Sequence, residues 1–184
     1  MKLLQINTSL NTSSTGKIVS QISNMCIDNG DQSFIALSGR YYENRGEANT
    51  FRIGSKLDFY WHALVTRIFD RHGFGSKRAT KKLLKKIEYL KPDIIHLHNL
   101  HGYYINIEIL FNYLSFHKIP IVWTMHDCWA FTGHCSHFEF VECRKWKKAC
   151  YSCPQSSSYP SSLIVDNSKE NFIKKKKLFN SLNN

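Results

Sequence analysis

Short apolar runs alternate with longer amphipathic stretches from the start of the chain to about residue 124. The apolar runs predict buried strands at 2–6, 33–37, 50–53, 94–97 and 121–124. Apolar positions with helical spacing predict helices at about 17–26, 58–70, 76–90 and 107–116, and a lysine-rich helix at about 168–182. Strands that alternate with helical crossovers indicate an α/β fold, with a mostly parallel, doubly wound sheet and helices on both faces.

The helix predicted from Ser76 to Leu90 has the clearest amphipathic pattern. Its apolar stripe consists of Ala79, Leu83, Leu84, Ile87 and Leu90, and its other face carries Lys77, Lys81, Lys82, Lys85 and Lys86. We expect the Ser76 side chain to cap this helix and Pro92 to end it. The lysine face fits a solvated surface, and attraction to anionic lipid or phosphate is the functional alternative.

A polar segment of small residues follows the first predicted strand. It contains Thr15, Gly16 and Lys17 at the start of the first predicted helix. A strand, a glycine-containing turn and a helix N-terminus together form a natural anion site, because free N–H groups and the helix dipole point at one spot. The segment has no Walker A or GxGxxG motif, and a serine-rich capped loop explains it equally well.

Histidines gather where two neighbouring strands end. His96 and His98 alternate onto one face of the fourth strand, His101 follows that strand, and His126 and Asp127 follow the fifth. Parallel strands end at one edge of a sheet, where open α/β folds place their ligands. We therefore expect the two clusters to face each other across one polar crevice. Zinc held by His96 and His98 is a weaker reading, since neither cysteine nor carboxylate is close in sequence.

Cysteines and aromatic residues crowd the stretch that follows. Cys135, Cys143, Cys150 and Cys153 have the spacing C-x7-C-x6-C-x2-C, which is compatible with a tetrahedral structural zinc site. His134 and His137 can each replace one cysteine as ligand. Reduced packing cysteines and a disulfide remain open as alternatives. The other two cysteines fit ordinary buried positions, and the aromatic ring of Trp129 is a candidate for stacking on a flat ligand.

Length and charge narrow the class of protein. The 184 residues, 42% of them hydrophobic, suffice for one domain with a core, and we expect a single domain over 1–184 with a cysteine-rich insert at about 128–160. No apolar run reaches the length of a membrane span, and the first residues do not form a signal peptide, so we expect a cytoplasmic protein. The net charge of +11 suggests nucleic acid, an anionic membrane face or a phosphorylated small molecule as partner.

Several motifs together resemble family 4 glycosyltransferases of bacterial surface-polysaccharide synthesis. They are KLLQINTS with STGK, DIIHLHNLHGYYIN, and WTMHDCWAFTGHC continuing to CYSCPQ and YP. The closest resemblance is to colanic-acid-type transferases with a cysteine-rich insert. The resemblance implies a GT-B arrangement, in which two Rossmann-like domains face each other. It also implies that this chain is the N-terminal, acceptor-binding domain and lacks the C-terminal domain that binds most of the donor.

The resemblance carries roles to individual residues. It implies that the loop at 14–17 approaches the donor diphosphate and that His126 lines the donor sugar, with Asp127 orienting it or binding acceptor hydroxyls. The implied reaction transfers a sugar, with retention of configuration and no catalytic metal, from a nucleotide-sugar to a lipid-linked glycan at the inner membrane face. Without the second domain, independent activity is not expected. The alternative is a zinc-stabilised, basic nucleic-acid-binding module, which the lack of a recognised nucleic-acid motif disfavours.

Overall fold

The structure is a computed structural model that describes residues 1–40 and 49–182. Five strands form its sheet: β1 Lys2–Asn7, β2 Gln32–Ser38, β3 Thr50–Ile53, β4 Ile94–Leu97 and β5 Ile121–Trp123. Five α-helices accompany them: α1 Ser14–Asp28, α2 Lys56–Phe69, α3 Lys77–Leu90, α4 Ile107–His117 and α5 Ser168–Phe179. All the predicted elements are present within a few residues of their expected bounds.

The sheet has the strand order β3-β2-β1-β4-β5, and every neighbouring pair is parallel. The chain therefore starts in the middle of the sheet, winds outward to β3 on one side, and returns past β1 to build the other side. The order reverses between β1 and β4, and this reversal is the topological switch point of a Rossmann-like fold. The predicted doubly wound α/β fold is confirmed.

The sheet has a hydrophobic cluster on each face. Leu4 and Ile6 join a large cluster with the buried faces of α3 and α4, which includes Leu83 and Leu110. On the opposite face Val19 of α1 packs with β2 in a smaller cluster. Burying a leucine or isoleucine side chain stabilises the fold by about 1.5–3 kcal/mol. The helices thus cover both faces, as the alternation predicts.

The segment between α2 and α3 wraps around the buried side chain of His62. The N–H groups of Gly73 and Gly75 both donate to His62 Nε2, at 3.3 and 3.1 Å. The other ring nitrogen therefore carries the proton, which it donates to the Ser76 hydroxyl at 2.9 Å. The expectation that Ser76 caps α3 with its side chain is wrong, because this hydroxyl faces His62 and donates to the Tyr103 carbonyl instead.

The region between β5 and α5 has little regular secondary structure. Two short 3-10 helices, Glu139–Val141 and Lys145–Lys147, are its regular elements among the described residues. α5 then packs against α4 and buries Lys175, whose ammonium group donates to the Trp129 carbonyl at 2.6 Å. None of the helices in the two described ranges combines the length and apolar character needed to cross a bilayer.

Candidate functional site

The carboxyl ends of β1, β4 and β5 meet at one edge of the sheet. The segments after β1 and β4 touch, because the Asn99 N–H donates to Asn7 Oδ1 at 3.4 Å and Gly102 lies against Thr8. Gly102 has a φ of +122°, and a Cβ there would lie 2.6 Å from Thr8 Cγ2. Only glycine permits this close approach, which brings the two loops together at the switch point.

A chain of hydrogen bonds connects α1 to His126 through the sheet. Gln5 donates from Nε2 to the Val19 carbonyl at 3.0 Å, so its oxygen faces His98 Nε2, 3.2 Å away. His98 must donate to that oxygen, and its Nδ1 accepts from His126 Nε2 at 3.1 Å. The lone pair of His126 therefore lies on Nδ1, for which no hydrogen bond is found in the described part of the chain. This nitrogen is a ready acceptor for a hydroxyl.

Both imidazoles of this chain are neutral at physiological pH. Burial, together with the charges of His96 and His126, lowers the pKa of His98 to about 3. Burial also lowers the pKa of His126, and neighbouring Asp127 offsets this only in part. Neutral rings keep the donor and acceptor pattern fixed over the whole neutral range.

A second group of side chains joins the same edge. His101 Nε2 lies 2.5 Å from Asp127 Oδ2, and its Nδ1 lies 3.1 Å from the Tyr159 hydroxyl. The Asp127 oxygen Oδ1 accepts from the Trp129 N–H at 2.9 Å, which fixes the carboxylate. His101 and Asp127 are mostly covered, with side-chain exposures of 12% and 13%.

The carboxyl group of Asp127 is ionised at neutral pH. Burial by itself raises the pKa of Asp127, but the hydrogen bond and charge of His101 and the Trp129 N–H outweigh it, so the pKa lies below its usual value. A buried carboxylate held by two donors is rigid and strongly polar. Such a group can orient a sugar hydroxyl.

His101 and Asp127 open into a cavity of about 310 Å³, the strand-end cavity. The cysteine-rich insert supplies its other walls, which are Ser136, His137, Phe140, Gln155, Ser158 and Tyr159. The volume suits a small ligand such as a monosaccharide or part of a glycan. Sequence reasoning missed the part that Tyr159 plays, because it lies 58 positions from His101. The YP pair within the resembling motifs is its one signal in the sequence.

Two predicted ligand contacts need correction. Trp129 is only 2% exposed, and its ring packs under the Lys175 ammonium group, 4.2 Å from the ring centre, and beside His72. It is a core residue and offers no face for a sugar. His98 is 1% exposed, so it supports His126 from behind and does not line an open wall.

The loop before α1 is built as a helix cap. The Ser13 side chain accepts from the Gly16 N–H at 3.0 Å, and the Lys17 N–H reaches the Ser13 carbonyl. Gly16 is buried against the loop, where an added Cβ would lie 3.0 Å from the Asn11 nitrogen. Thr15 is partly exposed and contacts Ser13, and Lys17 is exposed. The anion site stays a prediction, and the N–H groups of Gly16 and Lys17 already donate to Ser13.

The predicted metal ligands lie together in the insert. A small cavity of about 20 Å³ is lined by Cys135, Cys143, Cys150 and Cys153, and by His134. All of these cysteines are free thiols. Across the described ranges, no group of three or more His, Cys, Asp or Glu side chains already has the arrangement of a metal site. The zinc site therefore also stays a prediction at this point.

Comparison with known proteins gives one informative match. A scan against models of protein families finds no match for the chain. The chain is similar to "Putative colanic acid biosynthesis glycosyl transferase WcaC" of Escherichia coli strain K12, with 29% identity over 121 residues. The aligned part covers 63% of this chain and 29% of that protein, so the chain matches less than a third of its relative's length. This similarity supports a distant relationship to a glycosyltransferase of polysaccharide biosynthesis.

Proposed function

We propose that the chain is the acceptor-binding, N-terminal half of a retaining glycosyltransferase with a GT-B arrangement. The observation that carries the proposal is the His101 and Asp127 pair, which follows β4 and β5 and opens into a cavity of about 310 Å³. The similarity to a colanic acid glycosyl transferase supports a glycosyltransferase as the class of enzyme. In the proposed enzyme, a second Rossmann-like domain binds most of the nucleotide-sugar donor.

The side chains fit the hydroxyl groups of a sugar. The Asp127 carboxylate accepts from hydroxyl groups, and the Tyr159 hydroxyl can donate to or accept from a ligand. His126 Nδ1 offers a further acceptor on a neutral ring that the Gln5 and His98 chain holds in place. Fixed polar groups of this kind stabilise developing charge without reorganising during the reaction. In the proposed reaction the leaving diphosphate takes the acceptor proton, and no divalent ion takes part in the transfer.

The basic surface suits a lipid-linked acceptor. Five lysines lie on the exposed face of α3, namely Lys77, Lys81, Lys82, Lys85 and Lys86. Such a face attracts an anionic bilayer, by about 1 kcal/mol for each lysine near the surface. We infer that the enzyme works at the cytoplasmic face of the membrane on a glycan linked to a lipid diphosphate.

Calorimetric titration of the purified chain tests this proposal. The probe is a sugar linked to a short polyprenyl diphosphate, and the same measurement with duplex DNA at equal ionic strength tests the nucleic-acid alternative. We expect the lipid-linked sugar to bind and Asp127→Asn to weaken it at least about tenfold, equivalent to 1.4 kcal/mol. The matched control is Glu88→Gln, which removes one exposed carboxylate from α3 and should leave binding unchanged.

Two results would contradict the proposal. The first is salt-dependent binding of DNA with none of the lipid-linked sugar, which favours a nucleic-acid-binding module. The second is sugar binding that Asp127→Asn and Glu88→Gln weaken equally, because it would place the sugar away from the strand-end cavity.

A further inference from the structure

We define the cysteine pocket by five of its lining residues: His134, Cys135, Cys143, Cys150 and Cys153. Its polar side chains do not find all the partners that they could bind. Its cavity of about 20 Å³ has room for one ion or one water molecule. Cys135, Cys143, Cys150 and Cys153 all line this cavity. Four thiols around one small space are the ligand number and type of a structural zinc site.

His134 adds a second, independent observation. Its side chain is fully buried, and Nδ1 is bound to Asp70 Oδ1 at 2.6 Å. The other ring nitrogen, Nε2, is buried without a hydrogen-bond partner anywhere in residues 1–40 and 49–182. Because Nδ1 donates to Asp70, Nε2 of the neutral ring carries a lone pair, and this unpartnered nitrogen belongs to a residue that lines the pocket.

A backbone N–H group at the pocket favours a thiolate. The Gly133 N–H donates to Cys150 Sγ at 3.2 Å. An N–H group that points at sulfur stabilises its charged form.

We propose that the cysteine pocket is a structural zinc site with Cys135, Cys143, Cys150 and Cys153 as its four thiolate ligands. As each zinc–sulfur bond forms, a thiol proton leaves to solvent, and Zn–S distances of about 2.3 Å result. The thiol side chains must rotate toward a common centre when zinc binds, because they do not have the arrangement of a metal site in the described residues.

The site would brace the wall of the strand-end cavity. Its ligands flank Ser136, His137 and Gln155, which line that cavity. His134 anchors the insert to Asp70 at the end of α2, and the second Asp70 oxygen accepts from the Asn167 N–H at the start of α5. A zinc ion here would fix an insert that has little core of its own. This role is separate from sugar transfer and does not depend on it.

Metal analysis of the full 184-residue chain, purified under reducing conditions, tests the proposal. We expect about one zinc ion per chain and an X-ray absorption spectrum with four sulfur neighbours. Cys150→Ser should lose most of the zinc, and titration of the zinc-free protein with cobalt should give the absorption of a tetrahedral thiolate site. Cys128→Ser is the matched control, because Cys128 lies outside the pocket and donates to Glu139.

Zinc far below one ion per chain would overturn the proposal. So would a disulfide within the pocket in protein kept under reducing conditions. A spectrum with three sulfurs and one nitrogen would also contradict it, since it would make His134 a ligand. If Cys150→Ser does not fold, the stoichiometry and spectrum of the unaltered chain still decide. No sugar is needed for these readouts, so their failure is distinguishable from failure of the glycosyltransferase proposal.

Discussion

Two pairs of a histidine and an aspartate in this molecule have nearly the same nitrogen–oxygen distance but different surroundings. His101 and Asp127 lie 2.5 Å apart, and His134 and Asp70 lie 2.6 Å apart. The first pair keeps 12% and 13% of its side chains exposed and opens into a cavity of about 310 Å³. The second pair is 0% and 1% exposed and lies beside the cysteine pocket.

The difference shows that such a pair does not by itself mark a substrate site. At the strand-end cavity, both nitrogens of His101 have protein partners, and the carboxylate faces a space large enough for a small ligand. In the cysteine pocket, the space admits a single ion and His134 Nε2 has no partner among the described residues. Burial and cavity size therefore support the proposal that the first pair binds a ligand, and they indicate that the second pair holds the fold together.

Removal of zinc should have the largest effect on the cysteine pocket. Structural zinc binding contributes about 10–16 kcal/mol in small zinc-finger peptides, so we expect stripping by a chelator to lower the unfolding free energy by several kcal/mol. Guanidinium unfolding with and without added zinc, in the presence of a reductant, measures the change. Identical unfolding curves would show that the pocket does not depend on metal.

Asp70→Asn should have the second-largest effect, because it breaks the buried pair of His134 and Asp70. Asp70 accepts from both His134 and the Asn167 N–H, and an amide cannot accept at both positions. Breaking a buried ion pair costs about 3–5 kcal/mol. Urea unfolding should reveal this loss, with Asp127→Asn as the matched variant that costs less than half as much. Equal losses for the two variants would remove the distinction between the pairs.

Acid should destabilise the strand-end site through His98. Its pKa is about 3 in the folded chain, below the ordinary value of 6.5, so the unfolded chain binds more protons between these values. The unfolding free energy should therefore fall as the pH drops from 6.5 towards 3, by up to about 1.4 kcal/mol per pH unit for this one proton.

Urea unfolding at several pH values tests the contribution of His98. The acid loss should shrink in His98→Gln and stay unchanged in His117→Gln, because His117 is exposed on α4. An unchanged slope in His98→Gln would mean that His98 does not titrate as its burial requires.

Asp127→Asn should affect binding more than stability. The amide oxygen still accepts from the Trp129 N–H, so the expected loss of unfolding free energy is about 1 kcal/mol. Sugar affinity should fall at least about tenfold, because the charged acceptor is gone. Circular dichroism melting and calorimetric titration of the same sample separate the two effects. A large loss of stability with unchanged affinity would reverse the roles assigned to the two pairs.

The smallest effect is expected for the lysine face of α3. Lys82 is exposed, so Lys82→Gln should change the unfolding free energy by less than about 0.5 kcal/mol and leave sugar affinity unchanged. Binding to anionic vesicles should weaken slightly, and added salt should abolish the difference. A change in sugar affinity would extend the site to this face.

Local patterns in the sequence predicted most of the fold and part of the candidate site. Apolar periodicity was sufficient for the strands and helices, and strand ends were sufficient to bring His98 to His126 and His101 to Asp127. The pattern could not show that Trp129 turns inward, because that depends on Lys175 of α5. Contacts between residues distant in sequence, which no local period encodes, decide such orientations.

Two contacts of the long insert could not be predicted from the sequence for the same reason. Tyr159 reaches His101 across 58 positions, and Asp70 reaches His134 across 64. Neither pair has a fixed spacing that a motif could reveal. The cysteine spacing did indicate the pocket, but the unpartnered nitrogen of His134 became visible only through its burial.

The most direct test of the central claim is a nuclear magnetic resonance titration of the nitrogen-15-labelled chain with a sugar linked to a short polyprenyl diphosphate. We expect the backbone amide signals of His101, Asp127 and Tyr159 to shift on binding, and we expect Asp127→Asn to raise the ligand concentration at which these shifts saturate at least about tenfold. Shifts confined to α3, or shifts that saturate at the same concentration in Asp127→Asn, would contradict the assignment of the strand-end cavity as the sugar-binding site.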